Sequence, residues 1–196
     1  MQNQPTSPQI PNCTWQRPIG FGWKAPYTVR YPSNLDDGPW HGMPLGGFGA
    51  GCIGRSHRGD FNLWHIDSGE HVFQTMPACQ FSIFEQVGDQ SQAYALSTEP
   101  PTDGSLKSWK WYPTSHSPLT SHPSPSIGTY HALYPRSWFV YENVFQANLT
   151  CEQFSPILPH NYQETSYPVA IFEWTAHNPT DQPITLSILM TWQNMV

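Results

Sequence analysis

Proline is the feature of this sequence that most limits what the chain can fold into. The chain has 21 prolines among 196 residues, roughly twice the ordinary share of about 5%. Each proline removes a backbone donor and breaks a helix interior, and no stretch between prolines carries an apolar stripe of helical period. These stretches alternate between apolar and polar residues instead. We therefore expect an all-β fold, an antiparallel β-sandwich with short strands.

Five stretches have the pattern of β-strands. Residues 184–192 are apolar at every even position, which is typical of a half-buried strand. Residues 169–176 (VAIFEWTA) are apolar on both faces apart from Glu173 and Thr175, which predicts a central strand. The segment HNPTDQP between them has turn chemistry, so we expect the two strands to form a hairpin. Further strands are predicted over residues 80–87, 138–145 and 149–154.

Composition also suggests how the chain is divided. Residues 1–14 are polar and rich in proline, and we expect a disordered tail followed by one domain over residues 15–196. Residues 113–126 (PTSHSPLTSHPSPS) contain one apolar residue besides proline, which predicts an exposed loop inserted into that domain. The strand at 184–192 runs almost to the last residue, so we expect the sandwich to be incomplete at its C-terminal end.

Charge and cysteine content argue against several classes of function. Eight Lys and Arg residues stand against 14 acidic ones, without a basic run, which disfavours nucleic-acid binding. The longest apolar run is too short to span a bilayer, and the first residues lack the features of a signal peptide. Four scattered cysteines without a CxxC pair favour reduced thiols in a cytoplasmic protein, although a disulfide between two of them stays open.

Residues 46–54 (GGFGAGCIG) are the most unusual segment. They contain the glycine spacing of a dinucleotide-binding fingerprint, but that fingerprint needs a strand before it and a helix after it. Neither neighbouring segment has such a pattern, so no cofactor is expected. We interpret the glycines as positions of positive φ or close backbone approach in a bent pair of strands.

Charged and aromatic residues follow the glycines directly. Arg55, Arg58, Asp60 and Trp64 suit either the binding of a polar ligand such as a sugar or the attachment of a loop to a neighbouring sheet. Four residues of metal-ligand type come next: His65, Asp67, Glu70 and His71. Their spacing matches no zinc or calcium loop, so no metal is expected. The acidic residues cannot be paired from sequence, so the chemistry alone assigns no catalytic residue.

Several segments, in order along the chain, carry a resemblance to a known family. The most distinctive are residues 44–54 (PLGGFGAGCIG), 55–64 (RSHRGDFNLW), 130–141 (YHALYPRSWFVY) and 149–163 (LTCEQFSPILPHNYQ). On these segments, residues 15–196 resemble the N-terminal domain of family 116 glycoside hydrolases. That family contains the non-lysosomal glucosylceramidases, or bile-acid β-glucosidases, and their microbial relatives.

The resemblance implies a two-domain enzyme in which a β-sandwich packs against a larger (α/α)6 barrel, in cis or in trans. It implies hydrolysis of β-glucosides, including glucosylceramide, with retention, by a glutamate nucleophile and an aspartate acid/base. Both carboxylates lie on the barrel, so this chain is expected to contain no catalytic residue and to be inactive alone. The full enzyme is expected to be cytoplasmic and peripheral to the membrane, with a β-glucoside or glycolipid as its substrate.

Within that architecture, six residues are candidates for contact with the substrate or the catalytic domain: Gly47, Gly49, Arg55, Arg58, Asp60 and Trp64. A flat Trp face and fixed hydrogen-bonding groups suit a sugar. Two other functions stay open, a free-standing carbohydrate-binding sandwich and a module that docks onto a separately encoded barrel. Trp rings exposed on one face would favour the first. A large apolar patch along the last strand would favour a domain that packs on a barrel.

Overall fold

The chain folds into twelve described strands and one short helix. The computed structural model describes residues 9–19, 42–67, 69–97, 101–111, 127–142 and 144–193. The strands are β1 (Trp15–Pro18), β2 (Met43–Leu45), β3 (Cys52–Arg55), β4 (Phe61–His65), β5 (Val72–Phe73), β6 (Gln80–Val87), β7 (Gln90–Ala95), β8 (Gly128–Leu133), β9 (Arg136–Tyr141), β10 (Asn148–Phe154), β11 (Ile171–His177) and β12 (Ile184–Thr191). The helix α1 (Tyr162–Thr165) lies between β10 and β11.

These strands form three sheets. The five-stranded sheet has the order β1-β8-β9-β10-β11, the three-stranded sheet β12-β6-β7, and the four-stranded sheet β2-β3-β4-β5. Neighbouring strands within each sheet are antiparallel, which confirms the predicted fold class. The predicted inserted loop, residues 113–126, and residues 1–8 of the predicted tail lie outside the described residues.

The three sheets pack on one core that is rich in aromatic rings. The five-stranded sheet contributes Tyr130 and Phe139, the three-stranded sheet Phe81, and the four-stranded sheet Phe61. Phe81 meets Phe172 edge to face, with ring centroids 5.0 Å apart and planes at 68°. Such pairs contribute about 0.5–1.5 kcal/mol beyond the area that they bury. Contacts between aromatic rings therefore make up much of this core.

The predicted hairpin between the last two strands is wrong. β11 pairs with β10 in the five-stranded sheet, whereas β12 pairs with β6 in the three-stranded sheet, where Ile188 lies opposite Ile83. The chain therefore crosses from one sheet to another between these strands. The reason lies in the core, since Phe172 and Ile184 both pack against it, from two different sheets.

A turn built on an asparagine makes this crossing. The Nδ2 of Asn178 donates to the carbonyl oxygen of Gln182 (2.7 Å), and its Oδ1 accepts from the backbone N–H of Thr180 (2.9 Å). Asx turns of this kind close corners as well as hairpins. The turn chemistry was visible in the sequence, but the choice between the two outcomes depends on packing.

β11 is an edge strand, not the predicted central strand. Among the described residues, β11 pairs with β10 alone. The face that carries Phe172 and Trp174 packs against the core, while the opposite face carries Ile171, Glu173 and Thr175. An antiparallel sheet tolerates solvent on one face, so a mostly apolar run does not require a central position.

The remaining strand predictions are confirmed by β6, β9 and β10, although β9 already ends at Tyr141. The short helix α1 was not predicted. Asn161 caps it by accepting from the backbone N–H of Glu164 (3.2 Å), and the Asn161 amide donates back to the Glu164 carboxylate (3.0 Å). This reciprocal pair works like a capping box. Among the described residues, no helix is long and apolar enough to cross a membrane.

Candidate functional site

The glycine-rich segment forms the hairpin between β2 and β3, with residues 46–51 as its loop. Gly49 and Gly51 have φ angles of 75° and 84°, in the left-handed region that favours glycine. This confirms the interpretation of the glycines as backbone positions that other residues adopt with strain.

Three contacts fix the loop on the segment around α1. The N–H of Gly46 donates to the Ser155 hydroxyl (2.9 Å), and the N–H of Phe48 donates to the carbonyl oxygen of Thr165 (2.8 Å). A Cβ at Gly47 would lie 2.4 Å from the backbone carbonyl oxygen of Tyr167. Only glycine permits this approach, which leaves Phe48 at the tip with 65% of its side chain exposed.

Arg55, at the end of β3, is fully buried. Its guanidinium carbon lies 4.1 Å from the ring centroid of Phe139 and 5.0 Å from that of Phe81. Its Nε donates to the carbonyl oxygen of Gly59 (3.1 Å), and its Nη2 donates to the Tyr141 hydroxyl (3.1 Å). The contacts with aromatic faces and the two hydrogen-bond acceptors offset part of the free-energy cost of removing this charge from water. Arg55 thereby ties the four-stranded sheet to the five-stranded one.

The same pocket holds the thiol of Cys151. Its Sγ lies 3.9 Å from Nη1 of Arg55, yet burial raises the pKa of Cys151 to about 12. Burial also raises the pKa of Tyr141. Since the thiolate is the nucleophilic form of cysteine, the neutral Cys151 thiol has a structural role. All four cysteines are free thiols.

Asp60 closes the turn between β3 and β4. One of its carboxylate oxygens accepts from the hydroxyl of Ser56, and the other accepts from the hydroxyl of Thr75 (3.0 Å). The Ser56 hydroxyl also accepts from the backbone N–H of Arg58 (3.1 Å). Asp60 and Arg58 are both buried, so the Asp60 carboxylate is engaged inside the fold.

Trp64 lies beneath the surface on β4. Its side chain is 2% exposed, and its indole Nε1 donates to the carbonyl oxygen of Gln74 (2.7 Å). The ring packs edge-on against Trp192, with centroids 5.3 Å apart. Trp192 itself is 45% exposed. The indole ring that solvent or a ligand can reach here is therefore that of Trp192, not that of Trp64.

The structure brings the six predicted candidates together on the hairpins formed by β2, β3 and β4. Five of them are buried: Gly47, Arg55, Arg58, Asp60 and Trp64. Gly49 is exposed in the loop. The buried residues fix the shape of the hairpins. Their contact with a substrate or a second domain stays a prediction, and exposed neighbours are better placed to make such a contact.

Two clefts meet beside these hairpins. Ile66 and Trp192 line both of them. The smaller cleft, of about 240 Å³, extends to Val169, and the larger, of about 510 Å³, carries the carboxylates of Asp67 and Glu70. Sequence reasoning did not single out these apolar residues, because a surface position cannot be told from a core position by residue type.

Exposed apolar residues continue from the clefts along the last strand. Ile188, Met190 and Trp192 occupy alternate positions along the chain, and alternate residues of a strand point to the same side of its sheet. Ile188 and Met190 are both exposed. Together with Ile66 and Val169 they form what we call the β12 surface: Ile66, Val169, Ile188, Met190 and Trp192.

The histidines of the predicted metal-type cluster pack on each other. The rings of His65 and His71 stack with centroids 4.1 Å apart, and Nδ1 of His65 is hydrogen-bonded to the carbonyl oxygen of Glu70 (2.9 Å). In the part of the chain that the structure describes, no group of three or more His, Cys, Asp or Glu residues is arranged to hold a metal ion.

The sequence of most of the chain matches the model of one known family. That family is described as beta-glucosidase 2, glycosyl-hydrolase family 116 N-term, and the match covers residues 42–196. The matched range starts just before β2 and includes the glycine loop, the β12 surface and all three sheets except β1.

Proposed function

Because the chain belongs to glycosyl-hydrolase family 116 as an N-terminal domain, we propose that it is the non-catalytic part of a retaining β-glucosidase of the glucosylceramidase type. In this proposal it supports a separate (α/α)6 catalytic domain, in cis or in trans, that carries the glutamate nucleophile and the aspartate acid/base. The substrate is a β-glucoside or glycolipid. The cytoplasmic location stays a prediction.

The β12 surface is the observation that carries this proposal. Ile66 is 60% exposed and Trp192 45% exposed, Val169 lines a cleft with both of them, and the exposed Ile188 and Met190 precede Trp192 at alternate positions along β12. Contiguous apolar surface of this kind marks sites of protein interaction. An N-terminal domain of a family 116 glycoside hydrolase implies a catalytic partner domain. The catalytic domain is therefore the expected occupant.

The buried acids of this chain suit structural rather than catalytic roles. The carboxylate of Glu85 accepts from the backbone N–H groups of Gln146 (3.1 Å) and Ala147 (2.9 Å) and from the side-chain amide of Gln92 (2.9 Å). The Asp60 carboxylate is likewise occupied by two hydroxyl donors. Acids that exchange protons with a substrate need to reach it, which supports placing both catalytic carboxylates on the other domain.

The free-standing carbohydrate-binding alternative is less well supported. Trp64, Trp111 and Trp138 are buried. Of the two exposed tryptophans among the described residues, Trp15 lies on β1 of the five-stranded sheet, whereas Trp192 directly follows β12 of the three-stranded sheet. A row of exposed tryptophan rings on a single face would favour a glycan-binding sandwich. The described residues do not form such a row.

A binding experiment with the catalytic domain as a separate chain tests the proposed support role. An Ile66→Asp variant should bind the catalytic domain at least tenfold more weakly, because it places a charge in an apolar interface. Leu133→Asp is the matched control, since Leu133 is also exposed but lies in the β8–β9 hairpin. Equal binding by both variants and the native chain would contradict the proposed surface.

An activity assay tests where the catalytic carboxylates lie. The 196-residue chain alone should not hydrolyse an aryl β-glucoside above the blank. Asp67 and Glu70 are the pair to check, because they line the same cleft as Trp192. Turnover that is lost in Asp67→Asn or Glu70→Gln would overturn the assignment of catalysis to the other domain.

A further inference from the structure

A groove of about 440 Å³ lies on the outer face of the three-stranded sheet, away from the β12 surface. Ser82 and Phe84 of β6 line its floor, and they alternate with Ile83, which points into the core. Pairing places Ala95 opposite Ser82, and Ala93 opposite Phe84. These small neighbours leave the floor concave, and its volume lies within the range of about 300–1,000 Å³ that is usual for ligand pockets.

A tryptophan forms the wall of the groove. Trp109 lines it and stacks on Trp111, with ring centroids 6.0 Å apart and planes at 23°. Trp111 is buried and forms a parallel bridge with Ala95, and the N–H of Ala95 donates to the carbonyl oxygen of Lys110 (2.8 Å). The wall is thus anchored to β7, and the ring of Trp109 is held in place before any ligand arrives.

The polar residues that line the groove carry hydroxyls, one ammonium group and the amide of Gln92, which already donates to Glu85 and to the carbonyl oxygen of Val144. Ser82, Ser91, Ser108 and Tyr94 carry the hydroxyls, and the described lining contains Lys110 and no Arg, His, Asp or Glu. Hydroxyls both donate and accept hydrogen bonds. An aromatic wall with several hydroxyls and no carboxylate suits a neutral ring that is apolar on its faces and polar at its edge.

We propose that this groove binds a single neutral pyranose ring, stacked on Trp109, at a site separate from the contact with the catalytic domain. The choice of glucose as the sugar rests on the proposed β-glucosidase function, whereas the choice of a neutral pyranose rests on the groove itself. The site would hold the enzyme near glycosylated material without taking part in hydrolysis.

Titration of the chain with methyl β-glucoside, followed by nuclear magnetic resonance, tests this site. A Kd on the order of 1 mM is expected for a ligand of this size in an open groove. Trp109→Ala should weaken binding at least tenfold because it removes the stacking surface. Ala93→Phe should do the same by filling the groove, from an exposed position that does not form part of the core. Trp15→Ala is the control and should bind normally, since Trp15 is exposed on β1.

Three results would overturn the proposal. They are the absence of saturable binding by the folded native chain, undiminished binding by both groove variants, and binding of 1-octanol with no binding of the glucoside. The last result would show a site for an apolar chain. Failure here is distinguishable from failure of the domain-support role, because Trp109→Ala should still bind the catalytic domain normally.

Discussion

The guanidinium carbon of Arg55 lies 4.1 Å from the ring centroid of Phe139, inside the core rather than at the surface. The contact joins β3 of the four-stranded sheet to β9 of the five-stranded sheet. Sheets in a sandwich meet mainly through apolar side chains, whereas here a buried cation fixes one sheet on the other. The position of the glycine loop, which β3 follows, therefore depends on Arg55.

Arg55→Lys should lower the free energy of unfolding by about 2–4 kcal/mol. The lysine keeps the charge but loses the planar group that donates to both Gly59 and Tyr141. Urea unfolding of both chains measures the change. Arg136→Lys is the matched control, because the Arg136 side chain is about half exposed in its ion pair with Glu152, and the substitution should cost less than about 1 kcal/mol. Equal losses in the two variants would refute a special role for Arg55.

Glu85→Gln should destabilise the fold by about 2–3 kcal/mol. The buried carboxylate receives three N–H donors, two of them from the backbone of Gln146 and Ala147. A glutamine amide turns one acceptor into a donor that faces these N–H groups. Glu173→Gln on β11, where the side chain is exposed, should stay within about 0.5 kcal/mol. Thermal unfolding measures the change in the free energy of unfolding for both variants. A change as small for Glu85→Gln as for Glu173→Gln would contradict the assigned hydrogen bonds.

Gly47→Ala should damage the glycine loop more than Gly49→Ala. A Cβ at Gly47 meets a backbone oxygen at 2.4 Å, so the loop has to move away from the segment after α1, whereas a Cβ at Gly49 meets nothing within 4 Å. The cost at Gly49 is the left-handed φ alone, about 1–2 kcal/mol. Binding to the catalytic domain and thermal stability should both follow this order. The reverse order would show that the close approach is unimportant.

Alkaline pH should weaken the fold through Cys151. Burial raises its folded-state pKa to about 12 from an ordinary value of 9.0. Below pH 9 the thiol is neutral in both states, so its contribution is fully present. Above pH 9 only the unfolded state releases the proton, and the free energy of unfolding should fall by about 1.4 kcal/mol per pH unit.

The difference between the native chain and Cys151→Ala isolates this effect. Burial also raises the pKa values of Cys52 and Cys79, and those thiols contribute equally to both chains. Urea unfolding between pH 8 and pH 10 should therefore show a difference that is constant up to about pH 9 and then declines. A difference that stays flat to pH 10 would mean that the Cys151 thiol ionises readily in the folded state.

Several strands could be predicted from the sequence, because a half-buried strand shows a local alternation of apolar and polar residues. β6, β10 and β12 appear where the pattern places them. Their partners were not predictable in the same way. β12 pairs with β6 across about a hundred residues of chain, and only the shared core shows that Phe172 and Ile184 approach it from different sheets.

The candidate site was predictable in its location but not in its exposure. The glycines, Arg55, Asp60 and Trp64 do lie together on neighbouring hairpins. Charged residues are almost never fully buried unless they are paired, and sequence reasoning left open whether Arg55 binds a polar ligand or attaches a loop to a neighbouring sheet. Its burial depends on aromatic rings from β4, β6 and β9, which no local pattern reveals.

Amide hydrogen exchange of the 196-residue chain, alone and bound to the catalytic domain, tests the central claim most directly. Binding through the β12 surface should slow exchange in residues 46–51, 66–73, 167–170 and 188–193, and leave residues 128–141 of the β8–β9 hairpin unchanged. Slower exchange confined to the β8–β9 hairpin, or no binding at all by the native chain, would contradict the role of this chain as a domain that supports the catalytic domain.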